Sequence, residues 1–223
     1  MCADAVIVAA GSSTRFGAED KLLADLCGRP VVAWSLAAYE SADSIDEIVV
    51  VGMADNEGRL ARLAAEWAPS KFSQVVRGGA RRRDSVEAGL RAGKSLYVAI
   101  HDAARPLVSP DAIDRCVAAA DRHAGAICAV PTVDTIKEVS GGLVYGHPDR
   151  SRLWAAQTPQ VVRRRAWLDA AAAGDDDETD DAAMLARFGL DVAVVEGTPE
   201  NLKITRPLDL EIARLILRLR EGQ

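Results

Sequence analysis

Val6–Lys21, VIVAAGSSTRFGAEDK, passes from an apolar stretch into glycine, serine and two cations. Its apolar part, Ala5 to Ala10, suits a buried strand, and the small polar residues after Gly11 suit a loop. Glycine and serine let backbone approach a ligand closely and turn N–H groups toward an anion, most often a phosphate. Arg15 adds a planar fork of donors and Lys21 a mobile point charge. The stretch reads as a triphosphate cradle; an ordinary strand-to-loop turn with solvated cations is the alternative. It has neither GxxxxGK[ST] nor GxGxxG spacing, since Ser13 stands where a second glycine would fall.

Further strand-like runs follow at Glu47–Gly52, Ser73–Val76, Tyr97–Ile100, Ala126–Val130 and Val192–Val195. Helical patterns lie between most of them. Pro30 to Glu40 opens on a first-turn proline, and Leu60, Leu63, Ala64 and Trp67 fall at i, i+3, i+4 and i+7. Asp84–Ala92, Asp111–His123 and Leu208–Leu219 complete the set, the last with Leu208, Ile212, Leu215 and Leu219 as its apolar face. Such alternation predicts an α/β fold with a largely parallel, doubly wound sheet, whose ligands bind at the carboxyl ends of the strands. Unusual polar residues collect there: Gly11, Arg15 and Lys21, then Gly78, Gly79, Arg82 and Ser85, then His101-Asp102-Ala103-Ala104-Arg105-Pro106. Three loops are expected on one rim.

The bulk properties narrow the partners. The 223 residues suffice for one well-packed α/β domain, and 49% hydrophobic with 27% charged residues is ordinary for a globular enzyme. A net charge of −6 argues against extended nucleic-acid binding, so any bound phosphate should be small and local. Cys2, Cys27, Cys116 and Cys128 form no CxxC pair and read as buried, reduced thiols. The N-terminal apolar run is too short for a secretory core or a membrane span, so a cytoplasmic protein is expected.

The alternation breaks between Pro131 and Trp154. Thr135–Val139, a Ser140-Gly141-Gly142 turn and Leu143–Tyr145 predict a β-hairpin too short to hold its own core. An arm for another subunit is favoured over a hairpin folded back on its own domain. Asp175–Glu178 suits a solvated acidic loop, and Thr179-Asp180-Asp181 suits a helix N-cap with acids in the first turn. The triplets Arg81–Arg83 and Arg163–Arg165 are expected as mostly solvated helix starts or faces, with Arg82 near enough to the glycine pair to do more.

Laid side by side, these loops resemble the 2-C-methyl-D-erythritol 4-phosphate cytidylyltransferases. The residues carrying the resemblance are Ala9-Ala10-Gly11 with Arg15 and Lys21; Gly78-Gly79 with Arg82 and Ser85-Val86; and His101 to Pro106. They continue with Asp134-Thr135 and Lys137; Leu153-Trp154 with Thr158-Pro159-Gln160; Thr179 to Ala182; and Asn201, Lys203, Thr205-Arg206-Pro207 and Asp209. Seven groups in family order span nearly the whole chain.

The resemblance implies a three-layer Rossmann-like nucleotidyltransferase fold, one domain over residues 1–223 with a dimerisation arm at about 132–153, and a homodimer. It implies CTP and a methylerythritol phosphate as substrates, a divalent metal, normally Mg²⁺, and neither nucleic acid nor membrane as a partner. Arg15, Lys21 and Lys203 would be catalytic, stabilising charge at the α-phosphorus while the substrate phosphate attacks and pyrophosphate leaves. Ala9, Ala10, Gly11, Ser12, Gly78, Gly79, Arg82, Ser85 and Asp102 would hold the nucleotide. Asp102, Arg105, Thr135, Arg150, Thr158 and Lys203 would hold the second substrate, with Thr135 and Arg150 arriving from the neighbouring subunit. Asp102 is the nearest candidate metal ligand. Without the resemblance, Lys203 reads as an exposed strand lysine, Ser85 as a first-turn helix residue and Asp102 as a cap or ion-pair partner. The chain departs from the family pattern at Asp20 and Leu22, where proline and glutamine commonly flank the lysine, and at Ala80, where an acid is frequent; the loop is also slightly short. The nearest rival is a cytidylyltransferase for ribitol 5-phosphate, and from another class a non-catalytic nucleotide-binding relative. A redox Rossmann protein is disfavoured without GxGxxG and its downstream acid.

Overall fold

The computed structural model describes residues 1–11, 16, 20–174, 178 and 180–221, the side chain of residue 221 excepted. In chain order come β1 (Ala3–Val8), β2 (Asp25–Leu26), β3 (Arg29–Pro30), α1 (Val31–Ser41), β4 (Ile45–Gly52), α2 (Glu57–Trp67) and β5 (Phe72–Arg77). Next are α3 (Arg82–Ala92), β6 (Tyr97–Asp102), α4 (Pro110–Ala120), β7 (Gly125–Pro131), β8 (Glu138–Ser140), β9 (Leu143–Gly146) and a 3-10 turn at Arg150–Arg152. The chain ends with β10 (Trp154–Arg163), α5 (Arg164–Ala173), α6 (Asp181–Arg187), β11 (Val192–Glu196) and α7 (Pro207–Glu221).

Seven strands form one sheet in the order β11-β7-β10-β6-β1-β4-β5, with β10 antiparallel to both neighbours and the other pairings parallel. The predicted α/β, largely parallel sheet is therefore present, with one reversed strand that the apolar pattern does not announce. Pro159 interrupts that strand's reading, and the ladder shifts register between Ala156 and Gln160 where the proline sits.

Strand alternation divides the core into two faces. Ala3, Ala5 and Ile7 of β1 point to one side, packed with Leu36 and Tyr39 of α1, Leu60 of α2 and Ile113 of α4. Val6 points to the other, with Val86 and Leu90 of α3, Trp167 of α5 and Leu185 of α6. Helices on both faces make three layers. Gly89 lets α3 lie close to the sheet, since a Cβ there would stand 2.4 Å from Val6 Cγ1.

Four expectations are corrected. The face of α7 turned inward carries Leu210, Ala213 and Leu217, packed with Leu26, Leu107 and Ile204, while Leu208 and Leu219 are 67% and 60% exposed. Both sets repeat at three- and four-residue spacing, so periodicity alone does not choose between them. Thr135–Lys137 precedes the first hairpin strand, which begins at Glu138. Arg164 is not solvated: it pairs with buried Asp4 at 2.5 Å and donates to Ser95 O. Of the four cysteines only Cys116 and Cys128 are buried; Cys2 is exposed and Cys27 half-buried. Asp180 is the N-cap of α6, donating no proton but accepting from the Ala183 N–H at 2.8 Å, and Thr179 lies outside the described residues.

Among the described residues the hairpin β8–β9 pairs with no other strand. Gly141 and Gly142 take φ of +56° and +80°, the left-handed pair that a tight two-residue hairpin turn requires. Val139, Leu143, Val144 and Tyr145 are all exposed along it.

Candidate active site

Register sets the rim. Val8 pairs with Val51 on one side and Asp102 on the other, so β1, β4 and β6 end level. The chain continues these ladders for one more bond: Ala9 N–H donates to Val51 O and Ala103 N–H to Val8 O, each across the sheet. Gly78 N–H likewise donates to Gly52 O. A cleft of about 430 Å³ opens above these ends, lined among others by Ala10, Gly11, Lys21, Gly79, Arg82, Ser85, Asp102 and Lys203. A second hollow of about 280 Å³ adjoins it, lined by Arg105, Thr158, Gln160 and Asp180. Arg82, Asp102 and Lys203 border both.

The glycine pair packs too tightly for any other residue. A Cβ on Gly78 would stand 2.6 Å from Ala10 Cβ, and one on Gly79 would stand 2.3 Å from Asp84 Cβ. Ser85, in the first turn of α3, is buried; its Oγ accepts from Gly79 N–H at 3.1 Å and donates to Arg81 O at 3.2 Å. Opposite, Asp20 Oδ1 accepts from Leu22 N–H at 3.0 Å, so a backbone bond holds this carboxylate beside Lys21.

Asp102 is the centre of charge. Lys203 Nζ lies 2.9 Å from its Oδ2, Arg105 Nε 3.6 Å from the same oxygen, and Arg82 Nε 3.7 Å from Oδ1. Burial pushes the Asp102 carboxyl up, but Lys203, Arg82 and Arg105 outweigh it and hold the group well below the usual carboxylate range. Three cations around one carboxylate leave a surplus of positive charge, the condition for gathering phosphates. Arg105 is placed by Nη1 donating to Asn201 O at 2.8 Å, while its buried Nε has no hydrogen-bond partner. Burial lowers its pKa from the guanidinium norm, with Asp102 opposing.

The antiparallel strand β10 brings Thr158 to the same point. Gln160 pairs with Ile100, and continuing that register places Thr158 level with Asp102, whose N–H donates to Thr158 Oγ1 at 3.2 Å. Thr158 Oγ1 also lies 2.9 Å from His101 Nδ1, and His101 Nε2 lies 3.2 Å from Arg105 O. A carbonyl only accepts, so Nε2 carries the proton and Nδ1 accepts from the Thr158 hydroxyl. Complete burial pushes His101 down to about 3, fixing this neutral form. His101 stands in the quoted loop without an assigned role in the sequence; its burial gives it one, as the post that holds Thr158 and the Arg105 carbonyl together.

Arg82 is held from behind by Asp181, with Nη2 2.7 Å from Oδ2. The other oxygen of buried Asp181 accepts from Trp167 Nε1 at 3.0 Å, and its backbone N–H donates to Gln160 Oε1 at 2.9 Å. Burial lowers the Arg82 pKa, but Asp181 and Asp102 outweigh it and raise it above its ordinary value. Asp181 and Gln160 both lie in the motifs named above, yet Asp181 reaches Arg82 across 99 residues of chain and is itself held by Gln160 from 21 residues away, an arrangement invisible in spacing.

Ser12 and Arg15 lie outside the described residues. Thr135 and Arg150 are exposed on the arm, away from the cleft lining; Arg150 Nη1 donates to Val133 O at 3.0 Å. The remaining site candidates, Ala9, Gly78 and those lining the two hollows, converge on the rim. Among the described residues no three His, Cys, Asp or Glu side chains gather as a metal site. Asp102 borders both hollows and offers one hard-oxygen ligand; Asp180 is occupied by Ala183 N–H and Gln160 Nε2. A lone carboxylate suits an ion carried chiefly by a ligand's phosphates rather than a protein cage.

The model of a 2-C-methyl-D-erythritol 4-phosphate cytidylyltransferase family matches residues 3–219. A protein of that name from Prochlorococcus marinus is 44% identical over 222 residues, covering 96% of this chain and 98% of the relative. One from Dehalococcoides mccartyi is 40% identical over 216 residues, covering 96% and 95%. Among solved structures, the 4-diphosphocytidyl-2C-methyl-D-erythritol synthase of Anaerococcus prevotii superposes with a TM-score of 0.86 at 27% identity, covering 97% of this chain and 96% of that one. The Thermus thermophilus cytidylyltransferase gives 0.78 at 28% identity, with coverage of 98% and 100%.

Proposed function

Because this chain belongs to the 2-C-methyl-D-erythritol 4-phosphate cytidylyltransferase family, we propose which of its residues carry that family's reaction. The enzyme transfers a cytidylyl group from CTP to 2-C-methyl-D-erythritol 4-phosphate, giving 4-diphosphocytidyl-2-C-methyl-D-erythritol and pyrophosphate for isoprenoid precursor synthesis. The observation that carries the assignment is the convergence of Lys21, Arg82, Lys203 and Asp102 on one cleft whose second hollow adds Arg105 and Thr158. CTP occupies the larger hollow, with its base and ribose against Gly78, Gly79 and Ser85 and its phosphates along Ala9, Ala10, Gly11 and Ser12. The alcohol phosphate occupies the smaller one beside Arg105, Thr158 and Asp102.

An in-line attack by the substrate phosphate oxygen on the α-phosphorus needs no protein nucleophile. What it needs is positive charge where negative charge gathers, and Arg15, Lys21 and Lys203 supply it. Asp102 keeps Lys203 aimed, and Arg105 holds the second phosphate through its planar fork. A bound divalent ion, Mg²⁺, would neutralise phosphate charge, with Asp102 as the residue that would hold it.

The rest of the chain supports a homodimer built through the arm, as a single domain over 1–223 with a projection at about 132–153. A two-stranded hairpin is marginal alone in water, and exposed Val139, Leu143, Val144 and Tyr145 call for a cover. Thr135 and Arg150 then reach the neighbouring subunit's alcohol-phosphate hollow. Among the described residues no helix is long and apolar enough to cross a membrane, and a cytoplasmic setting agrees with the four free cysteines.

Pyrophosphate release with CTP and Mg²⁺, offering methylerythritol phosphate and ribitol 5-phosphate in parallel, tests the reading. Release with the first alone is expected; release with ribitol 5-phosphate alone overturns the substrate, and release with neither overturns the enzyme.

A further inference from the structure

Arg29 lies outside the cleft, in β3 just before α1. Its guanidinium carbon sits 4.7 Å from the ring centre of Trp34 and 4.5 Å from that of Trp67. Two indole rings flank the cation at cation–π distance and remove much of its rotamer freedom. Trp34 is itself fixed, with Nε1 donating to Leu26 O at 2.9 Å. The guanidinium makes no side-chain hydrogen bond or ion pair to any described residue, so its edge donors remain available.

That cation borders a separate hollow of about 350 Å³ between α1, α7 and the segment after Arg105. Trp34, Ala37, Pro106 and Leu217 give it apolar walls, and Arg220 stands at its rim. Arg220 is already neutralised: its Nη2 lies 2.6 Å from Glu200 Oε2. The hollow therefore presents one uncompensated, preorganised guanidinium above an apolar floor.

We infer that this hollow is a binding site for a small organic monoanion, a carboxylate on a short apolar body, with Arg29 as its charge partner. One net positive charge matches one negative charge, which favours a carboxylate over a doubly charged phosphate ester. The planar fork takes both carboxylate oxygens, the indole clamp has already met the ordering cost, and the apolar walls take the hydrocarbon. Nothing in the cytidylyl-transfer scheme uses Arg29, Trp34 or Trp67.

Hexanoate is the probe, added to the 223-residue, ¹⁵N-labelled chain saturated with CTP, with the Trp34 indole N–H signal as the readout. The signal is expected to shift saturably with hexanoate and at least tenfold more weakly with hexanol, which lacks the charge, or acetate, which lacks the body. Arg29→Gln removes the charge, and Ala37→Leu fills the hollow while leaving Arg29 intact; each is expected to weaken hexanoate binding at least tenfold. A signal that does not move with hexanoate overturns the site. So does equal affinity in the Ala37→Leu chain, or a hexanoate affinity at least tenfold higher in the same chain without CTP, which would mean that the two ligands compete.

Discussion

Lys203 Nζ lies 2.9 Å from Asp102 Oδ2, a contact that ties the loop before α7 to the carboxyl end of β6. The same carboxylate meets Arg82 and Arg105, so one negative group spaces three positive ones. Replacing it separates ground-state attraction from transition-state alignment. Asp102→Asn is expected to leave metal-free CTP binding equal or tighter, because repelling charge is gone, while kcat with Mg²⁺ falls about 10- to 100-fold as Lys203 loses its aim. Isothermal titration with CTP beside steady-state rates checks this, and a parallel loss of affinity and rate would contradict it.

Lys21 and Lys203 differ from residues that only bind. Charge developing at phosphorus during transfer makes their ammonium groups worth more in the transition state than in the bound complex. Lys21→Ala and Lys203→Ala are each expected to cost about 10²- to 10⁴-fold in kcat with a smaller change in the KM for CTP. A KM change alone, with kcat intact, would make either lysine a binding residue.

How much of this was legible in the sequence differs by element. Lys21, Gly78-Gly79 and the His101–Pro106 loop declare themselves because strand ends in a parallel sheet are where polar loops collect. Trp154–Arg163 hides because Pro159 interrupts a strand that the bulge between Ala156 and Gln160 tolerates. The inward face of α7 hides because Leu208, Ile212, Leu215 and Leu219 repeat as regularly as Leu210, Ala213 and Leu217, and only the position of Leu26, Leu107 and Ile204 selects between them. The Arg164–Asp4 pair spans 160 residues of chain, beyond the reach of any local pattern.

His101 gives the chain an acid weakness. Its folded pKa is pushed down to about 3, against about 6.5 unfolded, so below pH 6.5 the unfolded chain binds a proton the folded one refuses. Stability is unaffected by this group above about pH 6.5 and declines as pH falls toward 3, with a slope approaching about 1.4 kcal/mol per pH unit. Denaturant titrations from pH 7 to 4 should show a slope for the parent that is shallower in His101→Gln. Equal slopes would mean that the imidazole is not buried neutral.

Asp181 supports the site without bordering either hollow. Its two oxygens are taken by Arg82 and Trp167, so Asp181→Ala takes the nearer carboxylate from the partly buried Arg82 guanidinium and leaves an indole N–H unmatched. Because Arg82 is partly exposed and still faces Asp102, the cost stays below that of a fully buried pair, at about 1–3 kcal/mol, read as a fall in the denaturation midpoint. Asp181→Asn keeps the shape and an acceptor, and should recover much of the stability while Arg82 remains misaligned and the KM for CTP stays raised. Full recovery of both would limit Asp181 to packing.

Thr135 and Arg150 sit on the exposed arm while Lys21 borders the cleft. If each site takes its arm residues from the neighbouring subunit, the two kinds of defect fall on different sites. In a mixed dimer of Lys21→Ala and Arg150→Ala chains, one site carries both defects and the other carries none. Random assortment makes half of the dimers mixed, each with one intact site, so an equal mixture of two nearly inactive variants should reach about a quarter of the parent rate. If Arg150 served the site of its own subunit, every site in the mixture would carry one defect and no activity would return. Co-refolding the two variants and measuring pyrophosphate release decides between these arrangements, and size-exclusion measurements on the same sample confirm that dimers formed.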